Sequence, residues 1–152
     1  MCPDIAGVMD ADMSHDPCVI PLIIKEFKNS ADFVIASRYA KNGGINEWGL
    51  YRKFISRFAT FMVRPLTSAK DPLSGFFFVR KNVINSMQIS PESCKICLEI
   101  LVKGRYGKIV EVPYIFVNRK FGKSKILNHK EILKYMMHVM SLYSYKIISI
   151  FK

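Results

Sequence analysis

The sequence predicts an α/β fold, and three observations carry that expectation. Short apolar runs at 5–9 and 32–36 stop abruptly at polar or charged residues, as buried strands do. Between them, Asp16 and Pro17 open a stretch of helical character, because a carboxylate caps a helix and proline is tolerated in its first turn. Half of the 152 residues are hydrophobic and 12% are aromatic, enough for a sizeable core and too apolar for a disordered chain.

Taken in order, residues 5–9 read as a strand that ends at Asp10, residues 17–28 as a helix and residues 32–36 as a second strand. Strand, helix and strand in succession form a βαβ unit, which implies a parallel sheet and a right-handed crossover. Lys41, Asn42, Gly43 and Gly44 are turn formers and read as a loop. Residues 49–64 have helical periodicity, with Phe54, Phe58, Phe61 and Met62 to one side. A strand is expected at 75–79, helices at 83–87 and 92–103, and a strand at 108–117 in which Pro113 marks an edge or a bulge. Residues 118–128 read as a loop. Residues 129–151 read as one amphipathic helix with an apolar face of Ile132, Met136, Val139, Met140, Tyr143, Ile147 and Ile150. The organisation is therefore a domain over 1–128 followed by a C-terminal amphipathic helix at 129–152, with no internal repeat.

The formal charge of +11, from 23 basic and 12 acidic residues, favours polyanionic partners: anionic lipid, phosphorylated substrates or nucleic acid. Nucleic acid is set aside, since the basic residues are not interleaved with aromatics on an RNA-binding sheet and no helix-turn-helix pattern is present. Cys94 and Cys97 have the spacing of half a zinc site, but Cys2 and Cys18 do not complete it, so reduced thiols and a cytosolic face are expected. The opening residues lack a basic segment followed by an apolar run, so no secretory signal is expected. The longest charge-free stretch near the C-terminus, from Tyr135 to Tyr145, is eleven residues, short of the roughly 20 that span a bilayer.

Chemistry concentrates first at Asp10, Ala11 and Asp12, directly after the first strand. Two carboxylates flanking a small residue can converge on Mg2+ or Mn2+, hard cations that take oxygen ligands and substrate phosphates. Ser14 is either a further oxygen near that metal or the cap of the helix opening at Pro17. Arg52 and Ser56 lie four apart on the predicted helix and so share a face, where a guanidinium fork and a hydroxyl suit phosphate oxygens. Lys53 and Arg57 on the same helix suit anionic head groups. Asp71 and Glu99 are the remaining candidate acids, with Asp71 expected to order the turn at 71–75.

The stretch VMDADMSH at 8–15 resembles the metal-binding segment of the dolichol-phosphate mannose synthases, within the family-2 glycosyltransferases. IASRY at 35–39, GGINEWGLYRK at 43–53 with ISR at 55–57, DPLSGF at 71–76 and NRKFGKSK at 118–125 are similar to further segments of that family, in order and across nearly the whole chain. The resemblance implies the C-terminal portion of a GT-A (Rossmann-like) glycosyltransferase fold, a mostly parallel sheet flanked by helices. It implies transfer of mannose from GDP-mannose to dolichyl phosphate, giving dolichyl β-D-mannosyl phosphate by metal-assisted inverting displacement. Asp10, Ala11, Asp12, Arg38, Arg119 and Lys125 would hold the donor. Arg38, Arg52 and Ser56 would hold the acceptor phosphate, and Asp10 and Asp12, with Ser14 in reserve, would hold Mg2+ or Mn2+.

The same resemblance implies a peripheral protein on the cytoplasmic face of the endoplasmic reticulum membrane, and leaves room for small membrane-anchoring subunits. It also implies a nucleotide-binding half ahead of Asp10, where nine residues stand. A chain without that half, or cut from a longer one, is therefore expected. Two other readings compete: a UDP-sugar-dependent polyprenyl-phosphate glycosyltransferase, and a non-catalytic remnant that binds a membrane or a subunit. Retention of both Asp10 and Asp12 favours catalysis.

Overall fold

The computed structural model describes residues 4–46, 48–85, 87–90, 95–118 and 129–151. Six strands and five helices follow one another: β1 (Ile5–Val8), α1 (Ile20–Lys28), β2 (Phe33–Ser37), β3 (Gly44–Ile45), α2 (Leu50–Val63), β4 (Phe77–Arg80), α3 (Lys81–Ile84), α4 (Ile96–Lys103), β5 (Ile109–Pro113), β6 (Ile115–Phe116) and α5 (His129–Ile150). The α/β expectation holds. Single 3-10 turns precede α1 and follow α2. The first is capped by the Asp16 carboxylate, which accepts from the Cys18 N–H at 2.9 Å, as the Asp-Pro pair predicts.

Four strands form the main sheet in the order β1-β4-β2-β5. β4 runs antiparallel to both β1 and β2, while β5 is parallel to β2. β1, β2 and β5 therefore point the same way, and β4 alone is reversed. The two strands of the βαβ unit at 5–37 are not neighbours, because β4 is threaded between them. No periodicity in residues 5–37 could announce a strand contributed from 77–80. A second, two-stranded parallel sheet pairs Gly44 with Ile115 and Ile45 with Phe116. This differs from the sequence expectation twice over. The turn-former run at 41–44 gives way to a short strand, and the strand expected at 108–117 is broken at Tyr114, so its second half leaves the main sheet. Pro113 ends β5, which is an edge strand, where a missing N–H costs no ladder bond.

β2 is buried along its whole length and is the spine of the core. On one side, Val34 and Ala36 pack with Ile23 and Phe27 of α1, Trp48, Phe76, Val112, Tyr114 and Phe116. On the other, Phe33 and Ile35 pack with Phe77, Val79, Val83, Cys97, Ile100 and Leu101. A third cluster joins Val63 at the end of α2 and Leu66 just beyond it to Leu98 of α4 and to Val139 and Leu142 of α5. Docking of α5 is fixed by hydrogen bonds from Tyr135 Oη to the Ala59 carbonyl (2.9 Å), Tyr143 Oη to the Met62 carbonyl (2.7 Å) and Lys146 Nζ to the Pro65 and Leu66 carbonyls (2.8 and 2.9 Å). The apolar face expected for this helix is thus divided. Val139 is buried with Leu142, while Ile132, Met140, Ile147 and Ile150 are exposed. Among the described residues no helix is long and apolar enough to cross a membrane.

Candidate active site

The three co-directional strands end at one margin of the main sheet, and the candidate residues follow those ends. Asp10 comes just after β1, Arg38 just after β2 and Tyr114 just after β5; the turn at 71–75 leads into β4 from the same margin, since Val8 and Ile35 both lie opposite Phe77. In open α/β sheets the carboxyl ends of the strands are where ligands bind.

The loop at 10–15 is held by its own polar groups. Ser14 donates from its N–H (3.1 Å) and its hydroxyl (2.5 Å) to Asp12 Oδ1. The Asp10 N–H donates to His15 Nδ1 at 3.0 Å, which leaves the proton of neutral His15 on Nε2, 3.9 Å from Asp10 Oδ2. His15 is buried, stacked on Phe76 at 5.1 Å and edge-on to Tyr114 and Phe116. That burial pulls its imidazole below the ordinary value, against the opposing charges of Asp10 and Asp12. Met13, between Asp12 and Ser14, has φ 63°, the left-handed region that a side chain disfavours, so the loop carries backbone strain there. Gly75 lies under the loop: a Cβ there would stand 3.3 Å from Asp10 Oδ2 and 3.4 Å from the His15 ring. Ser14 is not the helix cap, a role that Asp16 fills, and its hydroxyl belongs to Asp12.

Among the described residues, no group of three or more His, Cys, Asp or Glu side chains converges as a metal cage. Asp10, with its side chain 56% exposed, and Asp12 are the residues that could hold a divalent cation of the kind that binds through one or two carboxylates and completes its shell with substrate phosphates.

Arg38 is gripped by Asp71. Its backbone N–H and Nε donate to Asp71 Oδ2 at 2.9 and 2.8 Å, and Nη2 donates to Oδ1 at 2.6 Å. The Asp71 side chain is fully buried and that of Arg38 is 9% exposed. Burial pulls the guanidinium down, and the hydrogen bonds and charge of Asp71 more than offset it, so the net shift is upward. Asp71 was expected to order the turn at 71–75. It does so through its carbonyl, which accepts from Ser74 N at 3.2 Å, while its carboxylate serves Arg38. The Asp71 and Lys70 N–H groups are held in turn by the two oxygens of Glu111 on β5, at 2.9 and 3.0 Å.

Trp48 joins the two candidate arginines. The Arg52 guanidinium carbon lies 4.0 Å from the centre of the Trp48 ring and that of Arg38 lies 5.6 Å from it. Phe116 meets Trp48 edge-on at 5.2 Å and also contacts His15, so one aromatic chain runs from the loop at 10–15 to Arg38 and Arg52. Arg52 Nη1 donates to Asn118 Oδ1 at 3.2 Å, and the Ser56 hydroxyl pairs with Tyr39 Oη at 2.9 Å. Tyr114 lies at the junction. Burial holds its hydroxyl above the usual range, and it feels the charges of Arg38, Asp71 and Asp10.

The structure therefore brings Asp10, Ala11, Asp12, Ser14, Arg38, Arg52 and Ser56 into one region. Arg119 and Lys125 lie outside the described residues. Glu99 is a structural acid, buried between α4 and α5, where its carboxylate bonds Lys103 Nζ and the Ser90 N–H and faces His138. Sequence reasoning missed the partnering of Tyr39, Trp48, Glu111 and Tyr114. Only Glu111 carried a signal: a carboxylate between valines in a strand needs a polar partner.

The fold is thus an α/β sheet with paired aspartates after its first strand and two arginines gathered on one tryptophan. The chain belongs to glycosyl transferase family 2, whose sequence profile matches residues 3–89. It is 45% identical over 143 residues to the dolichol-phosphate mannosyltransferase of Pyrococcus furiosus, covering 91% of this chain and 40% of that protein. The proteins of the same description from Saccharomyces cerevisiae and Mycosarcoma maydis are 39% and 36% identical, again over 91% of this chain, with 54% and 48% of their own lengths covered. The chain thus spans about half the length of the curated relatives it matches.

Proposed function

We propose that this chain carries the metal-side and acceptor-side residues of a mannosyltransferase that moves mannose from GDP-mannose to dolichyl phosphate at the cytoplasmic face of the endoplasmic reticulum membrane. The observation that carries the reading is the gathering of Arg38, Arg52 and Ser56 around Trp48 and Tyr39, linked through Phe116 and His15 to the loop of Asp10 and Asp12.

Each group has a physical task in that reaction. Arg52 and Ser56, one helical turn apart, offer a guanidinium fork and a hydroxyl to the acceptor phosphate. Arg38 contributes charge, its fork already oriented by Asp71, so little reorganisation is needed when phosphate arrives. Asp10 and Asp12 would hold Mg2+ or Mn2+, which when bound neutralises charge on the departing diphosphate. His15 fixes the loop through the Asp10 N–H, and Gly75 keeps the space beneath the Asp10 carboxylate open. No general base is required. A phosphate monoester has a second pKa near 6 and at neutral pH is already a competent nucleophile. Positioning then supplies much of the rate. Attack opposite the departing diphosphate on an α-linked donor gives a β-linked product.

The test is transfer of labelled mannose from GDP-mannose to dolichyl phosphate in detergent, with Mn2+ and with chelator, alongside Arg52→Ala. Chelator-sensitive transfer is expected, with Arg52→Ala raising the acceptor KM far more than the donor KM. Transfer that ignores the chelator removes Asp10 and Asp12 from a metal site. A selective donor defect in Arg52→Ala reverses the assignment of the two sides.

A further inference from the structure

A second basic cavity adjoins the acceptor residues without containing them. It has a volume of about 380 Å3 and is lined by Tyr39, Arg57, Thr60, Phe61, Arg64 and Lys70. Arg57, Arg64 and Lys70 are all exposed, and among the described residues none of their side chains is in an ion pair. Glu111, the carboxylate that reaches the Lys70 backbone, uses its two oxygens on the Lys70 and Asp71 N–H groups. Three cations thus line a hollow large enough for a phosphate group, with no carboxylate ion-paired to them among the described residues.

Phe61 identifies the kind of anion. It belongs both to the cavity and to an apolar stripe on α2, in which Leu50, Phe54, Phe58 and Phe61 are 86%, 68%, 56% and 72% exposed. Their spacing of four, four and three residues keeps them on one side of the helix. A free phosphate or a nucleotide would leave that stripe in water, at a cost proportional to its area. A phosphate attached to acyl chains covers it.

We propose that the cavity of Arg57, Arg64 and Lys70 binds the head-group phosphate of an anionic phospholipid, at a position separate from the acceptor phosphate at Arg38, Arg52 and Ser56, with the Leu50–Phe61 stripe among the acyl chains. The inference rests on the membrane placement proposed above and extends it to a particular lipid class. Tyr39 is the wall between the two positions: its ring lines the cavity and its hydroxyl bonds Ser56. Head-group occupancy thus sets α2 beside a lipid surface with Ser56 facing the acceptor side.

The experiment is partitioning of the full chain onto vesicles of phosphatidylcholine alone and of phosphatidylcholine with phosphatidylinositol. It needs no turnover, so it reads the lipid site whether or not mannose is transferred. A basic residue at an anionic surface contributes a free energy equivalent to about fivefold in partitioning. Arg57→Gln and Arg64→Gln are each expected to weaken binding to the anionic vesicles about fivefold, and the triple variant with Lys70→Gln by about a hundredfold. Binding to phosphatidylcholine alone is expected to be unchanged by these variants and reduced by Phe61→Ser. Lys25→Gln and Lys28→Gln, exposed on α1, are the controls for general attraction. A triple variant that binds anionic vesicles like the parent overturns the proposal. So does an equal loss in the α1 controls, or inorganic phosphate competing as well as the lipid does.

Discussion

Replacing Asp71 by asparagine keeps the shape of the side chain and one acceptor for the Arg38 N–H, but leaves the guanidinium without its counter-charge. Arg38 is 9% exposed at its side chain and Asp71 is not exposed at all, so solvent screens little of the loss. Removing one partner of a buried ion pair typically costs about 3–5 kcal/mol, because the other charge stays desolvated and unmatched. A domain of this size loses about 2–4 °C of melting temperature per kcal/mol, which places the expected fall at roughly 6–20 °C. Thermal unfolding followed by near-ultraviolet circular dichroism reads it directly. Arg38→Met combined with Asp71→Leu removes both charges and should recover a large part of the loss, since an apolar pair of similar volume replaces a buried salt bridge well. If Asp71→Asn costs less than about 1 kcal/mol, the pair behaves like an exposed one and the account of a rigid, pre-oriented Arg38 is refuted.

Two further outcomes follow from the geometry. Burial holds both His15 and His138 below the ordinary imidazole value, so below about pH 6.5 the unfolded chain takes up protons that the folded chain refuses. Stability should therefore fall as pH drops through that value and continue falling until the lowered folded-state values are reached; urea midpoints measured down this range check it, and a rise in stability would contradict the burial of the two rings. Trp48→Leu removes the ring shared by Arg38 and Arg52, an interaction of about 2 kcal/mol when desolvated, so the acceptor KM should rise about tenfold or more, while Trp48→Phe, which keeps an aromatic face, should raise it far less. Steady-state kinetics of the two variants decide it, and equal defects would mean that the ring is not what holds the arginines.

The candidate site was legible where a residue's neighbours in sequence determine its surroundings. Asp10 and Asp12 follow a strand that ends where its apolar run ends, and Arg52 and Ser56 share a face because a helix has a fixed period. The N-cap at Asp16 was legible for the same reason. What could not be read depends on which segments meet. The carboxylate for Arg38 comes from 33 residues away, and the groups that hold Asp71 come from a strand 40 residues beyond it. The insertion of β4 between β1 and β2 is likewise a long-range choice. The helix at 49–64 shows a different limit. Its phenylalanines lie to one side, as the periodicity predicts, and that side is the exposed one at Phe54, Phe58 and Phe61, while Thr60 and Val63 are buried. Apolar periodicity reports that a helix has two unlike faces, and does not say which one meets protein.

The bonds that dock α5 onto α2 are unequal in kind. In the four bonds described, each donor is a side chain of α5, namely Tyr135, Tyr143 or Lys146, and each acceptor is a main-chain carbonyl at Ala59, Met62, Pro65 or Leu66. A carbonyl is present whatever side chain its residue bears. Substitutions at the exposed positions of the 59–66 segment therefore leave the acceptors in place, while Val63 and Leu66 are held by their packing against Val139 and Leu142. Variation at the three donors has no such freedom. Relatives of this chain should accordingly keep a hydroxyl or an amine at the positions of α5 that reach the carbonyls of the 59–66 segment.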